Sequence, residues 1–516
     1  MTQSPSRTLP TTTEIDSPGP LPHPTAPNTR PGRPQHESTP SPRLGVIGTV
    51  VVLGTLMVTM NATSVNIAVH ALGQEFRSPI STIQWVLTGY MLAFASVIPV
   101  TGWACERFGV KRVWLGALLL FTTCAGLSGA AWSADALIVF RVVQGIGGGL
   151  VLSVGQAILA RAAGPQRMGR TFGLIGLPLM LGPASGPVVG GFILSSLDWR
   201  WIFLINLPLG LIAIVFAVWL LPKGASEPSK RPDLRGLILL SSGVAIFIYA
   251  TSLAAAGEGL GGLRTAIGLG VGAGLLVAYV VHARARADRA LIDLGLLRER
   301  GFAAGVAVNL IIAMARSGGL VLLPLYWQVV RGEGPLETGF ILVAQMGGTA
   351  LALALTGWVT DRMGAAVVVP VGIVCFMLGT AVYTQAGGGI PVTLSVVALI
   401  VVGFGMGAVV MPATAAAYAT LPRDIIASGT SALLTVQRLG DSIGTAGLAV
   451  VLQLMINARA PQLGGSIPEQ LAPERRSALE SALSLAFGQA FWVVFGLAAI
   501  TFIPALLLPR RATRMR

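Results

Sequence analysis

Amide and guanidinium side chains interrupt two long apolar runs in the first third of the chain. The stretch VTMNATSVNIAV contains Asn61 and Asn66, and the stretch RVVQGIGGG contains Arg141 and Gln144. Such groups are costly inside a membrane, and they occur where they contact substrate, ions, water or neighbouring helices. An amide cannot titrate, so the asparagines would act at such a contact as hydrogen-bonding groups. The alternative, which the sequence leaves open, is that both asparagines only hydrogen-bond between helices.

A second group of charged residues lies in the apolar runs of the C-terminal third. AMARSGG contains Arg316, and VQRLGDSIGTAG contains Arg438 and Asp441. Asp441 is the one deep acid in these runs, which makes it the candidate proton carrier. It follows Arg438 by three residues on one helix face, so a structural ion pair is the alternative role. Arg316 needs a counter-charge, which we expect from Asp441 or from an anionic or zwitterionic substrate.

The elements that hold these residues are membrane-spanning helices. Hydrophobic residues make up 53% of the 516-residue chain and charged residues only 11%, far from the roughly 25% charge of a soluble protein. Apolar runs long enough to cross the bilayer recur about 14 times. The sequence predicts an all-α membrane protein of 14 transmembrane helices, as two six-helix bundles with two extra helices between them. The predicted segments are a disordered cytoplasmic tail (1–43), an N-terminal bundle (44–221), the inserted helices with linkers (222–300), a C-terminal bundle (301–508) and a basic cytoplasmic tail (509–516).

Basic residues dominate the charge of the chain, which has a formal net charge of +14. Most of them fall on one side of the predicted helices, which favours contact with an anionic leaflet over nucleic-acid binding. This bias predicts a plasma-membrane protein with both termini cytoplasmic and the segment Asn457–Ser484 outside. The chain has no HExxH, P-loop or GxSxG pattern, and its three cysteines lack metal-site spacing. We therefore expect no enzymatic activity, cofactor or metal.

A nine-residue motif occurs twice, as TGWACERFG from Thr101 and as TGWVTDRMG from Thr356. Each copy joins the second and third helices of a predicted six-helix group, and internal repeats of this kind are typical of secondary transporters. The copies place Glu106, Arg107 and Asp361 near predicted helix ends. There an acid and an arginine can hold two bundles in one state and release them in another. The alternative is that both copies are merely tight cytoplasmic turns.

These motifs resemble those of the major facilitator superfamily, and within it the fourteen-helix drug:proton antiporters. The first copy of the repeat is similar to the family's loop between helices 2 and 3, with Glu106 where aspartate is usual. RVVQGIGGG is similar to the helix 4 motif, and this resemblance implies a role for Arg141 in proton coupling. The resemblance covers nearly all of 44–508 and includes three stretches typical of the fourteen-helix branch, namely DWRWIFLINLPLG, LIDLGLLRERGF and YWQVVRGEGPLETGF.

The stretch GLPLMLGPASGPVVGG resembles the helix 5 motif of antiporters. Its glycines recur every four residues, so they form one smooth ridge that permits close helix packing. Two prolines within the ridge are expected to bend the helix. The residues assigned to this helix-packing motif are Gly182, Pro183, Gly186, Pro187 and Gly190.

The helix 1 stretch is also similar to the family pattern, with Asn66 at a family asparagine and Asn61 at the place of a family aspartate. The resemblance implies a monomeric exporter of small organic molecules, which works by proton antiport with alternating access. Its partners would be substrate, protons and lipid. Loss of the acid at Asn61 supports an alternative, a uniporter or solute importer of the same fold.

The residues assigned to coupling and switching are Arg141, Asp441, Glu106, Arg107 and Asp361. The residues assigned to the substrate cavity are Asn61, Asn66, Gln144, Arg316 and Arg438.

Overall fold

The structure is a computed structural model that describes residues 42–164, 167–221, 233–286, 290–385, 390–422, 425–460 and 473–509. Within these ranges, nothing is described of the side chains at 42–43, 174–175, 177–181, 183–184, 187, 257–258, 335 and 473–478. The predictions for the tails 1–43 and 509–516 therefore lie almost entirely outside the described residues. The same holds for the middle of the predicted external segment Asn457–Ser484.

Apolar sequence inside lipid must satisfy its backbone hydrogen bonds internally, and the described part of the chain does so with helices and without strands. The N-terminal part consists of α1 (Pro42–Glu75), α2 (Ile80–Val97), α3 (Thr101–Phe108), α4 (Val110–Gly129), α5 (Ala134–Ala163), α6 (Met168–Ser196), α7 (Trp201–Leu204) and α8 (Asn206–Leu220). A 3-10 segment, Ile98–Val100, joins α2 to α3, so that these two helices form one long span.

Two helices follow in the middle of the chain. They are α9 (Leu234–Leu253), which continues into a π-helical turn over Ala254–Glu258, and α10 (Leu263–Ala285). A 3-10 segment, Leu294–Arg298, leads into the C-terminal part. That part consists of α11 (Arg300–Leu325) with a π-helical turn at Tyr326–Val330, α12 (Pro335–Met363), α13 (Ala365–Thr384), α14 (Val392–Ala419), α15 (Ile426–Arg459), α16 (Pro473–Ile500) and α17 (Phe502–Ala505).

The helices are those of a multi-pass membrane protein. Among the described residues, 13 helices are long and apolar enough to cross a membrane. The 29-residue α6 lies at the place of the predicted fifth span, and many of its side chains are not described. The architecture agrees with the all-helical class expected from the sequence, and the number of fourteen spans stays a prediction.

The repeated nine-residue motif has the same backbone geometry in both copies. Gly109 ends α3 and begins α4 with a φ of 84°, and Gly364 ends α12 and begins α13 with a φ of 88°. Glycine enters this region of backbone space without steric cost because it has no Cβ atom. The two copies are therefore structural equivalents at the same helix junction of the two halves.

Each half of the structure has its own large buried apolar cluster. Trp114 and Phe121 lie in the N-terminal cluster, which draws mainly on α1, α2, α4, α5 and α8. Tyr326, Trp327 and Phe487 lie in the C-terminal cluster, which draws on α11, α13, α14, α15 and α16. A third buried cluster joins the two halves and the inserted helices, with Phe172, Val244 and Tyr418 among its members.

Candidate functional site

Arg141 lies completely buried on α5, where its guanidinium joins three helices. Its Nη1 atom donates hydrogen bonds to Asn61 Oδ1 on α1 at 2.6 Å and to Gln144 Oε1 at 2.8 Å. Its Nε atom donates to the carbonyl oxygen of Val86 on α2 at 3.3 Å. Asn61 thus accepts a hydrogen bond from the buried cation but brings no negative charge. None of the ion pairs in the described part of the chain includes Arg141.

Two aromatic rings on α2 connect this cluster to a second guanidinium. Arg141 Cζ lies 4.0 Å from the ring centre of Tyr90, and the ring centres of Tyr90 and Phe94 are 6.1 Å apart. Arg438 Cζ lies 5.3 Å from the ring centre of Phe94. Cation–π contacts of this kind offset part of the cost of burying a guanidinium. Neither ring was expected from the sequence, although two aromatic residues four positions apart on one helix were a readable signal.

Arg316, Asp441 and Arg438 form an ion triad on α11 and α15. Arg316 Nη2 pairs directly with Asp441 Oδ1, and Arg438 Nη1 lies 3.7 Å from Asp441 Oδ2. Asp441 is therefore the counter-charge of Arg316, one of the two sources expected from the sequence. The three side chains are 21–36% exposed, so all of them border open space. Two guanidinium groups against one carboxylate leave the triad with one excess positive charge.

The ion triad lines a cavity of about 220 Å³ between the two halves, here called the central chamber. The N-terminal half contributes Thr59, Leu152 and Gln156, and the C-terminal half contributes Thr349 and Gln437 besides the triad. Gln156 Oε1 is buried and has no hydrogen-bond partner among the described residues. A chamber with apolar walls and a few convergent polar groups is typical of a small-molecule site.

The acids of the repeated motif hold the first turns of helices in the opposite half. Glu106 on α3 accepts a hydrogen bond at 2.8 Å from the hydroxyl of Ser428, near the start of α15. Asp361 on α12 accepts hydrogen bonds at 2.8 and 3.0 Å from the backbone N–H groups of Gly169 and Arg170, at the start of α6. A carboxylate at a helix N-terminus satisfies free N–H groups and interacts favourably with the helix dipole. These two contacts, here called the latches, join the halves in a crossed and symmetrical way.

Glycines in the repeated motif make room for both latches. A Cβ atom on Gly102 would lie 2.8 Å from Ser428 Cα, and one on Gly357 would lie 2.8 Å from the carbonyl oxygen of Gly169. The helix of the opposing half approaches this closely only because these residues lack side chains. The hydroxyl of Ser431 adds hydrogen bonds of 2.8 and 3.0 Å to two carbonyl oxygens of the 3-10 segment after α2. The halves are thus in close contact at the end of the molecule that carries the repeated motif.

Arg107, the third residue assigned to the switch, packs against aromatic rings of its own motif. Its Cζ atom lies 5.9 Å from the ring centre of Trp103 and 5.6 Å from that of Phe108. In the second copy, Arg362 Cζ lies 5.2 Å from the ring centre of Trp358. An arginine packed against the tryptophan one helical turn earlier is therefore common to both copies of the repeat.

The glycine ridge of α6 packs against the hydroxyl-rich face of α1. A Cβ atom on Gly186 would lie 2.9 Å from the backbone nitrogen of Ser64, and one on Gly190 would lie 2.9 Å from its carbonyl oxygen. A Cβ atom on Gly182 would lie 2.9 Å from the Cβ atom of Thr59. The ridge thus allows close helix packing, as the spacing predicts. It also accounts for the small side chains of helix 1.

Three residues assigned to the substrate cavity are not among those that line the central chamber. Asn61 and Gln144 are buried in the Arg141 cluster, and Asn66 is exposed. Five residues of α-helix turn through about 140°, so Asn66 lies on a different face of α1 from Asn61. The side chains of Pro183 and Pro187 fall outside the described residues, and their effect on α6 stays a prediction.

The profile of the Major Facilitator Superfamily matches residues 51–445 of this chain. The chain belongs to the major facilitator superfamily. Among the proteins that it resembles is the multidrug resistance protein B homolog of Mycobacterium tuberculosis, with 35% identity and 96% of each chain covered. Another is the probable actinorhodin transporter of Streptomyces coelicolor, with 30% identity over 80% of this chain and 73% of that protein.

Solved structures of the superfamily share the fold at low sequence identity. The proton:xylose symporter XylE matches with a TM-score of 0.58 and 16% identity, over 90% of this chain and 95% of that one. The human organic anion transporter MFSD10 matches with a TM-score of 0.55 and 18% identity, over 89% of this chain and 100% of that one. The chain is therefore a multi-pass helical membrane protein in a superfamily of transporters, and multidrug-resistance proteins are among its relatives.

Proposed function

We propose that this transporter exports small organic molecules across the cell membrane by proton antiport with alternating access. The arrangement is two six-helix bundles with two inserted helices, fourteen spans in all, with both termini cytoplasmic. The names of the relatives support export of drug-like or antibiotic-like compounds. The observation that carries the proposal is the ion triad, whose single carboxylate faces a chamber between two halves that are joined by the latches.

Alternating access requires the halves to meet at one membrane face while they separate at the other. The latches join the halves at the face that the distribution of basic residues predicts to be cytoplasmic. Breaking both latches would open the central chamber towards that face, where an exporter takes up its substrate. Reforming them would close the chamber again. The latch acids Glu106 and Asp361, with Arg107, are therefore proposed to set the conformational equilibrium without contacting the substrate.

Proton exchange at Asp441 works only if the proton and the substrate exclude each other. An ionised Asp441 pairs with Arg316, and a protonated one loses this attraction. A purely anionic substrate would bind the two arginines best when Asp441 is protonated, so proton and substrate would travel together. Exchange instead needs a substrate whose amine or other donor contacts the ionised carboxylate. We therefore propose a zwitterionic substrate, with its donor on Asp441 and its acidic group on Arg438.

Uniport is the second candidate, because the Arg141 cluster contains an amide where the antiporter pattern that helix 1 resembles has an acid. Asn61 accepts the hydrogen bond from Arg141 at 2.6 Å without adding a group that titrates. If coupling in this fold depended on an acid in helix 1, this chain would move its substrate down the substrate's own gradient. Asp441 would then be only the structural partner of Arg316.

Reconstituted protein in proteoliposomes separates these functions. Three matched compounds, one zwitterionic, one anionic and one cationic, are offered with and without a pH gradient at zero membrane potential. Antiport predicts that the pH gradient drives the zwitterion uphill, and that Asp441→Asn removes this effect while downhill exchange continues. Asp135→Asn, the same substitution at an exposed position in the first turn of α5, serves as the matched control and should behave as the wild type.

Two results would contradict antiport through Asp441. One is transport that follows only the substrate gradient in the wild type, as a uniporter requires. The other is full pH-driven transport by Asp441→Asn. If the cation is the best substrate, the proposed substrate class is wrong even though antiport stands.

A further inference from the structure

A second cavity lies between α2, α9 and α15, and it is here called the side chamber. Its volume is about 210 Å³. The inserted helix α9 contributes Ile248, Thr251 and Ser252 to its wall. Arg438 and Asp441 line this chamber as well as the central chamber, so they form the partition between the two.

The inserted helix α9 is attached to both halves of the transporter at this level. Its Tyr249 ring stacks on Trp85 of α2, with ring centres 5.6 Å apart. Its Thr251 hydroxyl shares a hydrogen bond with the hydroxyl of Ser442 on α15. The side chamber is therefore bordered by one helix from each half and by a third helix that contacts both of them.

Neither chamber alone has the volume of a typical small-molecule site. The central chamber measures about 220 Å³ and the side chamber about 210 Å³, whereas such sites usually measure about 300–1,000 Å³. Joined end to end, the two chambers reach this range. In this arrangement, with both latches formed, the site therefore becomes large enough for a drug-sized molecule only if the partition opens.

Arg438 is held to Asp441 less firmly than Arg316 is, although its guanidinium also packs against the Phe94 ring. Its Nε atom is buried without a hydrogen-bond partner among the described residues. Its Nη1 atom lies 3.7 Å from Asp441 Oδ2, which is longer than a hydrogen bond. Asp441 keeps its direct pair with Arg316, so Arg438 can turn aside without leaving the carboxylate unpaired.

We propose that the substrate site is bipartite. A polar head occupies the central chamber beside the ion triad, and an apolar arm passes Arg438 into the side chamber beneath α9. Ile248, Thr251 and Ser252 on the inserted helix are then specificity-determining residues for the arm. This inference rests on the proposed function only in that the chain binds a small organic molecule, and it is independent of proton coupling.

The walls of the side chamber define the chemistry of the arm. Met91, Phe94 and Ile248 provide apolar surface. The hydroxyl groups of Thr251 and Ser252 already donate to the carbonyl oxygen of Ile248, so they offer the arm acceptor positions only. The charged residues of this wall, Arg438 and Asp441, lie at the partition, and the residues that α2 and α9 contribute carry no charge. A charged end of the arm that reaches past the partition would therefore be desolvated without a partner. The fitting ligand class is an amphiphile with a polar or zwitterionic head and an alkyl or aryl arm.

A photoaffinity experiment tests where the arm lies. The probe is an α-amino acid with a straight alkyl arm of about ten carbons that ends in a diazirine, and the competitor is the same compound without the diazirine. The purified full-length protein is irradiated with the probe and its peptides are mapped. We expect labelling of residues on α9 and α2 around the side chamber, and at least fivefold less labelling when the competitor is in excess.

Tryptophan substitutions provide the matched comparison. Ser252→Trp fills the side chamber and should reduce the labelling of its wall at least fivefold, and Ile248→Trp provides a second variant with the same expected effect. Ile238→Trp places the same ring on α9 at a position that is 63% exposed, and it should leave labelling within twofold of the wild type. Thermal melting of each variant shows that it is folded.

Three results would overturn the inference. They are labelling confined to the central chamber, labelling of α9 that the competitor does not suppress, and equal labelling in the Ser252→Trp and Ile238→Trp variants. The probe is also assayed for transport by the wild type in proteoliposomes. Labelling of the side chamber without proton-driven export would count against the proposed function alone. Export without such labelling would count against the bipartite site alone.

Discussion

Removal of the Asp361 carboxylate should weaken the contact between the halves at the predicted cytoplasmic face. Asp361 accepts hydrogen bonds from the backbone N–H groups of Gly169 and Arg170, so it acts as a helix cap supplied by the other half. Asp361→Ala deletes both acceptors and leaves the first N–H groups of α6 to water. The open arrangement loses nothing by this substitution, because the carboxylate is already separated from α6 there.

The expected size of the effect follows from the geometry. A capping aspartate typically contributes about 0.5–2 kcal/mol, and two hydrogen bonds of 2.8 and 3.0 Å place Asp361 above the low end. Its exposure to solvent screens the charge and argues against any larger value. A loss of about 1–2 kcal/mol shifts the ratio of closed to open molecules about 5–30-fold. The latch at Glu106 remains, so the closed arrangement should still be the more populated one.

Thiol accessibility measures this shift directly. Gln156→Cys places a thiol in the central chamber, in a background where Cys375 is replaced by serine, and a membrane-impermeant reagent is added to the cytoplasmic face of inside-out vesicles. While closed molecules predominate, the labelling rate is proportional to the open population, so Asp361→Ala should raise it about 5–30-fold. Asp198→Ala removes an exposed aspartate that pairs with Arg200 of the same half at 3.3 Å, and it should leave the rate unchanged. A change below twofold, or an equal change in the Asp198→Ala control, would refute the reasoning.

Two further substitutions test the packing and the buried cation. Gly186→Ala should lower the free energy of unfolding by about 1–3 kcal/mol, because its Cβ atom would lie 2.9 Å from a carbonyl oxygen of α1. Gly191→Ala, with nothing within 4 Å of its Cβ position, should melt like the wild type, and equal melting of both variants would refute the packing role. Arg141→Lys should reduce the transport rate at least tenfold, because one ammonium group cannot replace the planar fork that reaches Asn61 and two other acceptors. The half-buried surface residue Arg200 provides the control, since Arg200→Lys should stay within twofold of the wild-type rate.

Features that depend on residues close together in the chain could be predicted from the sequence. The apolar runs predicted the helices because a lipid-embedded backbone has no other way to satisfy its hydrogen bonds. The repeated motif predicted equivalent helix junctions, and Gly109 and Gly364 have the same positive φ in the structure. The four-residue spacing of Gly182, Gly186 and Gly190 predicted a close helix contact. It could not identify α1 as the partner, because a ridge of small residues fits any close neighbour.

Contacts between distant segments could not be predicted in this way. The motif marked Glu106 and Asp361 as important, but their partners Ser428 and Gly169 lie 322 and 192 residues away. The ion pair of Arg316 with Asp441 was one of two options, since charge balance requires a partner but does not say which one. The inserted helix α9 is mostly apolar, and the positions of its few hydroxyl residues did not indicate that it borders a chamber. Its role depends on the gap between α2 and α15, which exists only in the folded chain.

The amide at position 61 leaves Arg141 without a counter-charge in its hydrogen-bonded cluster, and Asn61→Asp would supply one. An aspartate there would place a carboxylate oxygen about where Oδ1 now lies, 2.6 Å from Arg141 Nη1. With charge centres about 4 Å apart and an effective dielectric constant of about 20, the attraction is about 4 kcal/mol. Desolvation of the new carboxylate costs several kcal/mol, so the two terms nearly cancel.

We therefore expect the Asn61→Asp variant to have a melting temperature close to that of the wild type. Its transport should depend more steeply on the pH gradient, because helix 1 gains a group that can titrate. Asn61→Leu, which removes the hydrogen bond and adds no charge, should melt at a lower temperature and should not steepen this dependence. If Asn61→Asp unfolds the protein as readily as Asn61→Leu does, the charge of Arg141 is already balanced, and a carboxylate at position 61 only adds an uncompensated charge to the cluster.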